Sequence, residues 1–482
     1  MGGKSLAKNS FFFVSYKLLG VVFPLITVSY VSQVILAEGV GRVSSAQNIV
    51  QYFVLIAALG IPNYGIREVA HVRENLEKTR KLFSELIIIN FASTTICIVA
   101  YFLIVLQLPI AKYDIILYSL LGLTIFLNYF NVDWLYQGFE EYSYIMKRSF
   151  VIKALSLVML FLLVRSEEDY ILYAGVNLFG VAGNNIINFV NLKKYNIKLV
   201  IKDIDLRKHF KPVFVLLCTT VAVELYTMVD TTMITFLCTS ENVAYYVNSI
   251  KIVRLVITLV TAIGGVLLPR LSYYRGQGLI NECNQIVAKT FRILVFLLMP
   301  CGIGLFMTAD AIVLLFFGES FQAAVPTLRI ASLLIYALGF SNLFGTQILL
   351  TFGEEKKLLF ATIVGAITNI GLNALLISEY QQNGAAVASI VSEALVTLIT
   401  YFYSRKYVSL NCNSSFVFKT ILSCGVLFVI IAILRKVLQS NMLFLAMAIG
   451  FGSGGYFLTS ALIGNDIIMD FKNFIEKRKN HQ

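Results

Sequence analysis

A chain of 482 residues would ordinarily make two or three soluble domains, but 58% of this one is hydrophobic and only 14% charged, against roughly 45–50% and 25% in globular chains. Stretches of about 20 apolar residues, the length that crosses a bilayer, recur along nearly all of it and exclude a sizeable aqueous catalytic domain. The surplus of 39 Lys and Arg over 27 Asp and Glu, a net +12, would suggest nucleic acid in a soluble protein; here the basic residues track the ends of apolar runs, and no nucleic-acid partner is expected.

Taken in chain order, apolar runs bounded by charges, Gly, Pro and Asn predict an all-α polytopic membrane protein of about fourteen helices. They lie near 10–36, 43–62, 82–107, 113–137, 146–165, 169–190, 212–237, 243–268, 287–308, 322–350, 357–378, 384–404, 416–435 and 441–463. The first begins near Phe11 and is too long for the apolar region of a cleavable signal peptide. An even number puts both chain ends on one side. That side carries 28 Lys and Arg; the other has only Arg42, Lys112, Arg165, Arg435 and Lys436. The positive-inside rule therefore places both termini in the cytoplasm. The longest outer connection, near Ala309 to Phe321, is about a dozen residues, too short for a folded external domain.

A shift of 203 residues aligns Glu38 with Glu241, Val40 with Val243, Ile49 with Ile252, Val50 with Val253 and Arg67 with Arg270. The turns Gln137-Gly138-Phe139-Glu140-Glu141 and Phe352-Gly353-Glu354-Glu355-Lys356 follow the fourth and tenth spans. A six-helix shift implies a parallel repeat about an axis along the membrane normal. The expected organisation is a lobe at 1–192, a cytoplasmic linker at 193–211, a second lobe at 212–406, two further helices in 407–463 and a basic tail at 464–482. Two lobes around a polar cavity suit an alternating-access carrier.

Each ionisable group inside a span costs at least about 2.5–3.5 kcal/mol near the midplane and so needs a cavity, a partner or a task. Lys17, Asp133 beside Trp134, Glu224, Asp230, Lys251, Arg254 and Glu393 are such groups; Lys153, Arg329 and Lys419 sit nearer span ends, where snorkelling is an alternative. Lys17 and Arg254 suit an anionic ligand, Arg as a bidentate clamp and Lys as a point charge. Glu224 and Asp230 either neutralise Arg254 or couple transport to an ion; a static salt bridge serves equally well as an explanation. The seven cysteines are scattered without a C-x-x-C, and His71, His209 and His481 lie far apart, so no metal site or cofactor is expected.

Leu59-Gly60-Ile61-Pro62-Asn63-Tyr64-Gly65-Ile66-Arg67-Glu68-Val69-Ala70 and Asp133-Trp134-Leu135-Tyr136-Gln137-Gly138-Phe139-Glu140-Glu141, followed by Arg148 and Lys153, resemble the oligosaccharide flippases. These are the polysaccharide or O-antigen transporters of the multidrug/oligosaccharidyl-lipid/polysaccharide exporter superfamily. Asp230-Thr231-Thr232-Met233-Ile234, Phe317-Gly318 with Ala323-Ala324, and Asn383-Gly384-Ala385-Ala386-Val387-Ala388 with Ser392-Glu393 extend the resemblance over about residues 9 to 405. It implies a non-enzymatic, monomeric carrier in a bacterial cell membrane that moves an undecaprenyl-pyrophosphate-linked oligosaccharide to the outer leaflet for capsule, exopolysaccharide or O-antigen assembly. Membrane lipids, a polysaccharide polymerase and glycosyltransferases would be its partners. The implied substrate residues are Lys17, Arg254, Arg67, Asp133, Trp134, Gln137, Arg148 and Lys153. Asp230, Glu224 and Glu393 would couple H⁺ or Na⁺. A multidrug cation antiporter of the same superfamily would want an acidic cavity, against which Lys17 and Arg254 count. A membrane-embedded polymerase would want larger outer loops.

Overall fold

The computed structural model describes residue 20 and residues 23–200, 202, 204–261, 267–409, 414–470 and 472. Every described element is helical, as hydrocarbon requires of a spanning chain whose backbone groups must pair internally. Nine described helical stretches are long and apolar enough to cross a membrane, the shortest being Ser240–Thr261 and Asn441–Leu462. Residues Phe23–Val34 (α1) and Ile115–Phe130 are shorter apolar helices. The chain falls into two compact units, residues 1–232 and 233–482.

The first unit contains α2 (Leu36–Ala58), α3 (Ile61–Val72), α4 (Leu76–Ile104), α5 (Ile115–Phe126), α6 (Asp133–Gly138), α7 (Tyr142–Leu163), α8 (Tyr170–Asn191) and most of α9 (Arg207–Leu237). The run expected at 43–62 ends earlier because Leu59 and Gly60 both turn left-handed (φ 51° and 74°). Pro62 then opens α3, where its fixed φ suits a first turn. Gly60 is required twice over: a Cβ there would lie 2.7 Å from the Leu217 backbone nitrogen and 2.9 Å from the Val213 carbonyl oxygen of α9. The fourth expected span is broken into α5, a 3-10 turn at Leu127–Phe130 and α6. Hydrogen bonds stand in for the missing hydrophobic force between helices in lipid: Asn90 donates to the Asn128 carbonyl, Asn128 donates to Asn90 and Thr94, and Tyr101 donates to the Tyr118 carbonyl.

The second unit contains α10 (Ser240–Thr261), α11 (Leu267–Gly276), α12 (Ile280–Phe317), α13 (Ala324–Ser332), α14 (Leu334–Ser341), α15 (Glu355–Ser404), α16 (Ser414–Val437), α17 (Asn441–Met447) and α18 (Ser453–Leu462). The outer connection expected near 309–321 is shorter than anticipated, because α12 continues to Phe317 before the turn at Gly318. The two spans expected at 357–378 and 384–404 fall within the single stretch α15, which breaks direction at Gln381 (φ 50°, ψ −131°). Gly384 lies against the Leu376 carbonyl oxygen, which a Cβ would meet at 2.4 Å, so the chain after the break packs closely on the chain before it. A second core joins α12 to α16–α18 through Phe296, Phe416, Leu427, Phe444 and Tyr456, with the Tyr456 hydroxyl donating to the Phe296 carbonyl at 2.7 Å.

Candidate functional site

The first two of the segments that carry the sequence resemblance, residues 59–70 and 133–141, pack against each other in the first unit. Trp134 of α6 lies over Gly65 of α3, where a Cβ would come within 2.5 Å of its ring, and Val69 of α3 fills the space beside Gly138. Trp134 is buried and stacks against Phe83 at 6.2 Å, so its ring faces the core. Gln137 is half-buried, and its carbonyl accepts the Glu140 amide, closing the turn after α6. Arg73, just past α3, reaches Glu140 of that turn at 2.8 Å. A comparable clasp holds the corresponding turn of the second unit: Arg275 donates to the Thr351 carbonyl and covers the Phe352 ring at 5.2 Å. Glu354 in this turn accepts from Tyr407 and from Lys357 (2.9 Å), and these bonds hold its carboxyl below the ordinary range.

Asp133 opens α6, and its carboxylate meets Arg148 of α7 at 2.7 Å. Fifteen residues of sequence separation gave no sign of this pairing. Asn188 of α8 also donates to Asp133, Arg148 donates to Ser149 at 3.1 Å, and the Tyr136 hydroxyl donates to the Asn188 carbonyl at 2.7 Å. The Arg148 side chain is only 4% exposed, whereas that of Asp133 is 28% exposed. A buried guanidinium is tolerable because carboxylate and hydroxyl oxygens surround it. The residues from α8 were missed by sequence reasoning, although Asn177, Asn184, Asn188 and Asn191 recur at spacings of seven, four and three that place them on one helix face.

The other first-unit candidates range from exposed to buried. Arg67 is exposed, pairs with Glu68 at 3.0 Å and lies over the Tyr64 ring at 5.4 Å. Lys153 is half-buried, its ammonium 5.9 Å from the Phe23 ring. Glu224 is half-buried and accepts from the Thr227 hydroxyl at 3.4 Å, while Asp230 is buried. Thr232, two residues beyond Asp230, is bonded by Asn48 and Tyr52 of α2, each at 2.7 Å. Lys17 lies outside the described residues.

In the second unit α10 has two unlike sides. Val243, Ala244, Tyr246, Asn248, Ser249, Ile252 and Val253 are buried, whereas Lys251, Arg254 and Thr258 are exposed at i, i+3 and i+7 along one stripe. Glu393 is buried on α15, one residue from buried Ser392; Asn369 and Asn373 on the earlier part of that stretch are buried too. Among the described residues no three His, Cys, Asp or Glu converge as metal ligands.

A second polar centre was not anticipated. Glu85, on α4, is 1% exposed, and its carboxylate accepts the Asp205 backbone N–H at 2.9 Å, the Lys208 ammonium at 2.8 Å and His209 Nε2 at 2.8 Å. The other ring nitrogen of His209 meets the Tyr64 hydroxyl at 2.8 Å. Lys81, four residues before Glu85, offered it an ordinary i, i+4 partner in the sequence, which hid the contact with His209.

Comparison with known proteins places this arrangement in context. Residues 6–275 match the family described as polysaccharide biosynthesis protein, and residues 148–451 match that of the lipid II flippase MurJ. A Shigella dysenteriae protein named as an O-antigen transporter is 23% identical over 384 residues, covering 78% of this chain and 94% of its own. An Escherichia coli K12 protein of the same name is 21% identical over 423 residues, covering 85% and 99%. Among solved structures, the lipid II flippase MurJ in an inward closed conformation superposes with a TM-score of 0.77 at 15% identity, covering 95% of this chain and 99% of the other.

Proposed function

The chain belongs to the polysaccharide biosynthesis protein family, and on that premise we propose that it flips undecaprenyl-pyrophosphate-linked oligosaccharide units from the cytoplasmic to the outer leaflet. Alternating access of two six-helix lobes, followed by two C-terminal helices in a fourteen-span chain, is the mechanism proposed. A polymer assembly pathway for capsule, exopolysaccharide or O-antigen would supply and consume the substrate through glycosyltransferases and a polymerase. The protein would act as a monomeric carrier, not an enzyme.

The observation that carries this reading is the exposed Lys251 and Arg254 stripe on α10, a spanning helix otherwise packed into its unit. Two cations on one open face are costly in hydrocarbon and become favourable when an anion is held there. A pyrophosphate offers the oxygens that Arg254 can grip in pairs, with Lys17 as a further charge. Among the described candidates of the first unit, Arg67 is exposed and Lys153 half-buried. Asp133, Arg148, Trp134 and Gln137 fix the α3–α6–α7 framework that presents them. The functional test is flipping of a fluorescent prenyl-pyrophosphate oligosaccharide in proteoliposomes containing the purified protein. Leaflet exchange no faster than in protein-free vesicles would defeat the proposal.

The orientation follows from the basic residues: cysteine introduced at Lys198 should be labelled only from the cytoplasmic side and at Glu319 only from outside. Labelling of position 198 from outside intact cells would reverse the topology.

Ion coupling is assigned to Asp230, with Glu224 and Glu393 in support. A buried carboxylate gains or loses H⁺ or Na⁺ when its surroundings change between carrier states. Asp230→Asn should abolish the acceleration of flipping by an imposed gradient while leaving ligand-dependent thermal stabilisation in place. An undiminished gradient response together with a lowered melting temperature would make Asp230 a packing residue.

A further inference from the structure

The start of α7 and the end of α8 border an open cavity of about 460 Å³ in the first unit. One wall is Ile186, Ile187 and Val190, three side chains left exposed on a spanning helix. The rest of the lining is Tyr144, Asn191, Lys193 and Lys194, on the side that the basic residues place in the cytoplasm. We infer that this cavity holds the phosphate and upper acyl chain of an anionic phospholipid of the cytoplasmic leaflet.

Every polar side chain at the cavity can donate a hydrogen bond, and no carboxylate lines it. Lys193 and Lys194 are exposed, and neither enters an ion pair among the described residues. Asn191 lies near the Tyr144 hydroxyl, yet neither that hydroxyl nor the Asn191 amide nitrogen makes a hydrogen bond, although both atoms are buried. Two buried donors at one cavity thus carry an uncompensated desolvation cost. A phosphate oxygen drawn in between the lysines supplies the missing acceptor after slight turns of two side chains. The site is also held in shape: the Tyr144 ring packs on the Tyr136 ring at 4.9 Å, and Tyr136 is itself buried with its hydroxyl on the Asn188 carbonyl at 2.7 Å. The 3-10 turn Leu192–Tyr195, closed by left-handed Asn196 (φ 53°), sets both lysines just past the last turn of α8. Cations there complement the helix dipole with or without a lipid, but the dipole accounts for neither the apolar wall nor the two orphaned donors.

The chemistry favours a bulk lipid over a transported one. Ammonium groups are point charges with none of the paired geometry by which a guanidinium selects a pyrophosphate. Anionic phospholipids are abundant in the cytoplasmic leaflet, and two lysines at its surface together favour an anionic over a zwitterionic headgroup by about thirtyfold. The apolar wall of Ile186, Ile187 and Val190 gives the acyl chain a surface that a soluble phosphate has no use for. A phospholipid seated there ties the turn that opens the 193–211 segment to the membrane surface.

The test is photo-cross-linking of the full chain in lipid nanodiscs, with a phosphatidylglycerol or a phosphatidylcholine that carries a diazirine in its acyl chain. Each probe is kept at a mole fraction low enough for labelling to follow affinity, and labelled peptides are read by mass spectrometry. Phosphatidylglycerol should label residues 186–194 about thirtyfold more than phosphatidylcholine does. Lys193→Gln with Lys194→Gln should remove that preference and leave phosphatidylcholine labelling, which reports an intact apolar wall, unchanged. Tyr144→Phe keeps the ring stack and should lower phosphatidylglycerol labelling about tenfold, the loss of one hydrogen bond to a charged group. Lys356→Gln with Lys406→Gln, two exposed lysines of the second unit, should leave it as it was. Equal labelling by the two probes, a preference that survives the substitutions at 193 and 194, or labelling undiminished in Tyr144→Phe would each overturn the proposal. Suppression by soluble glycerol phosphate would instead make the cavity a site for free phosphates, and displacement by undecaprenyl pyrophosphate where equal phosphatidylglycerol fails to compete would give it to the transported lipid; either result defeats the assignment. Flipping enters none of these measurements, so they stand or fall separately from the flippase reading.

Discussion

Asp133→Ala should destabilise the protein by about 3–5 kcal/mol, the cost of stranding a buried cation by deleting its partner. Arg148 is the residue stranded: only 4% of its side chain is exposed, and among the described residues Asp133, at 2.7 Å, is the one carboxylate it pairs with. Asn188 would also lose the acceptor that fixes α8 to α6. Arg148→Ala should cost less, because the Asp133 side chain is 28% exposed and can turn toward water. Thermal unfolding followed by size-exclusion chromatography in detergent reads both effects; an Asp133→Ala melting temperature equal to that of the unsubstituted protein would show that the ion pair contributes nothing. The double substitution Asp133→Leu with Arg148→Met separates framework from function, since apolar replacement of a buried pair is often neutral or stabilising. A double variant that folds and flips substrate would confine these two residues to holding the framework. One that folds without flipping would give them a further part in transport.

The helices were legible in the sequence because hydrocarbon enforces them. A run of about 20 apolar residues has nowhere to hide a free amide or carbonyl, so expected spans such as 146–165 and 416–435 nearly coincide with Tyr142–Leu163 and Ser414–Val437. Where the reading departed, backbone geometry intervened at points that hydropathy does not register. Leu59 and Gly60 end α2 by turning left-handed, residues 127–138 divide into a 3-10 turn and a short helix, and α12 continues through apolar residues that had been read as a loop. Charged side chains were legible as costs but not as partners. Asp133 was singled out because it sits in an apolar run, yet its pairing with Arg148 depends on how α6 meets α7, and sequence spacing says nothing of that. His209 was set aside because it lies far in sequence from the other histidines; Glu85, 124 positions away, is what makes it informative. The Trp134 motif shows the same limit in another form: Trp134 is paired with Gly65 because a ring needs a residue without a Cβ beneath it, a steric relation that no periodicity displays.

Arg254→Ala should reduce flipping by about a hundredfold or more and eliminate surface polysaccharide at unchanged protein level. A charge-assisted hydrogen bond contributes about 1.5–3 kcal/mol, and a guanidinium makes two to a phosphate, so losing even one of them accounts for about a factor of ten to a hundred. Stability should scarcely change, because Arg254 is exposed on α10, and the side of the helix that packs carries Val253 and Ile252. Arg254→Lys keeps the charge and loses the paired geometry, and should recover only part of the rate. Lys251→Ala should act less strongly, since an ammonium serves as a point charge that water can partly replace. The discriminating comparison is between substrates: a pyrophosphate-linked and a monophosphate-linked prenyl oligosaccharide should differ in rate for the unsubstituted protein and converge for Arg254→Ala. Equal rates for both substrates before substitution, or full polymer output from the Lys17→Ala, Arg254→Ala double variant, would remove the pyrophosphate from this helix.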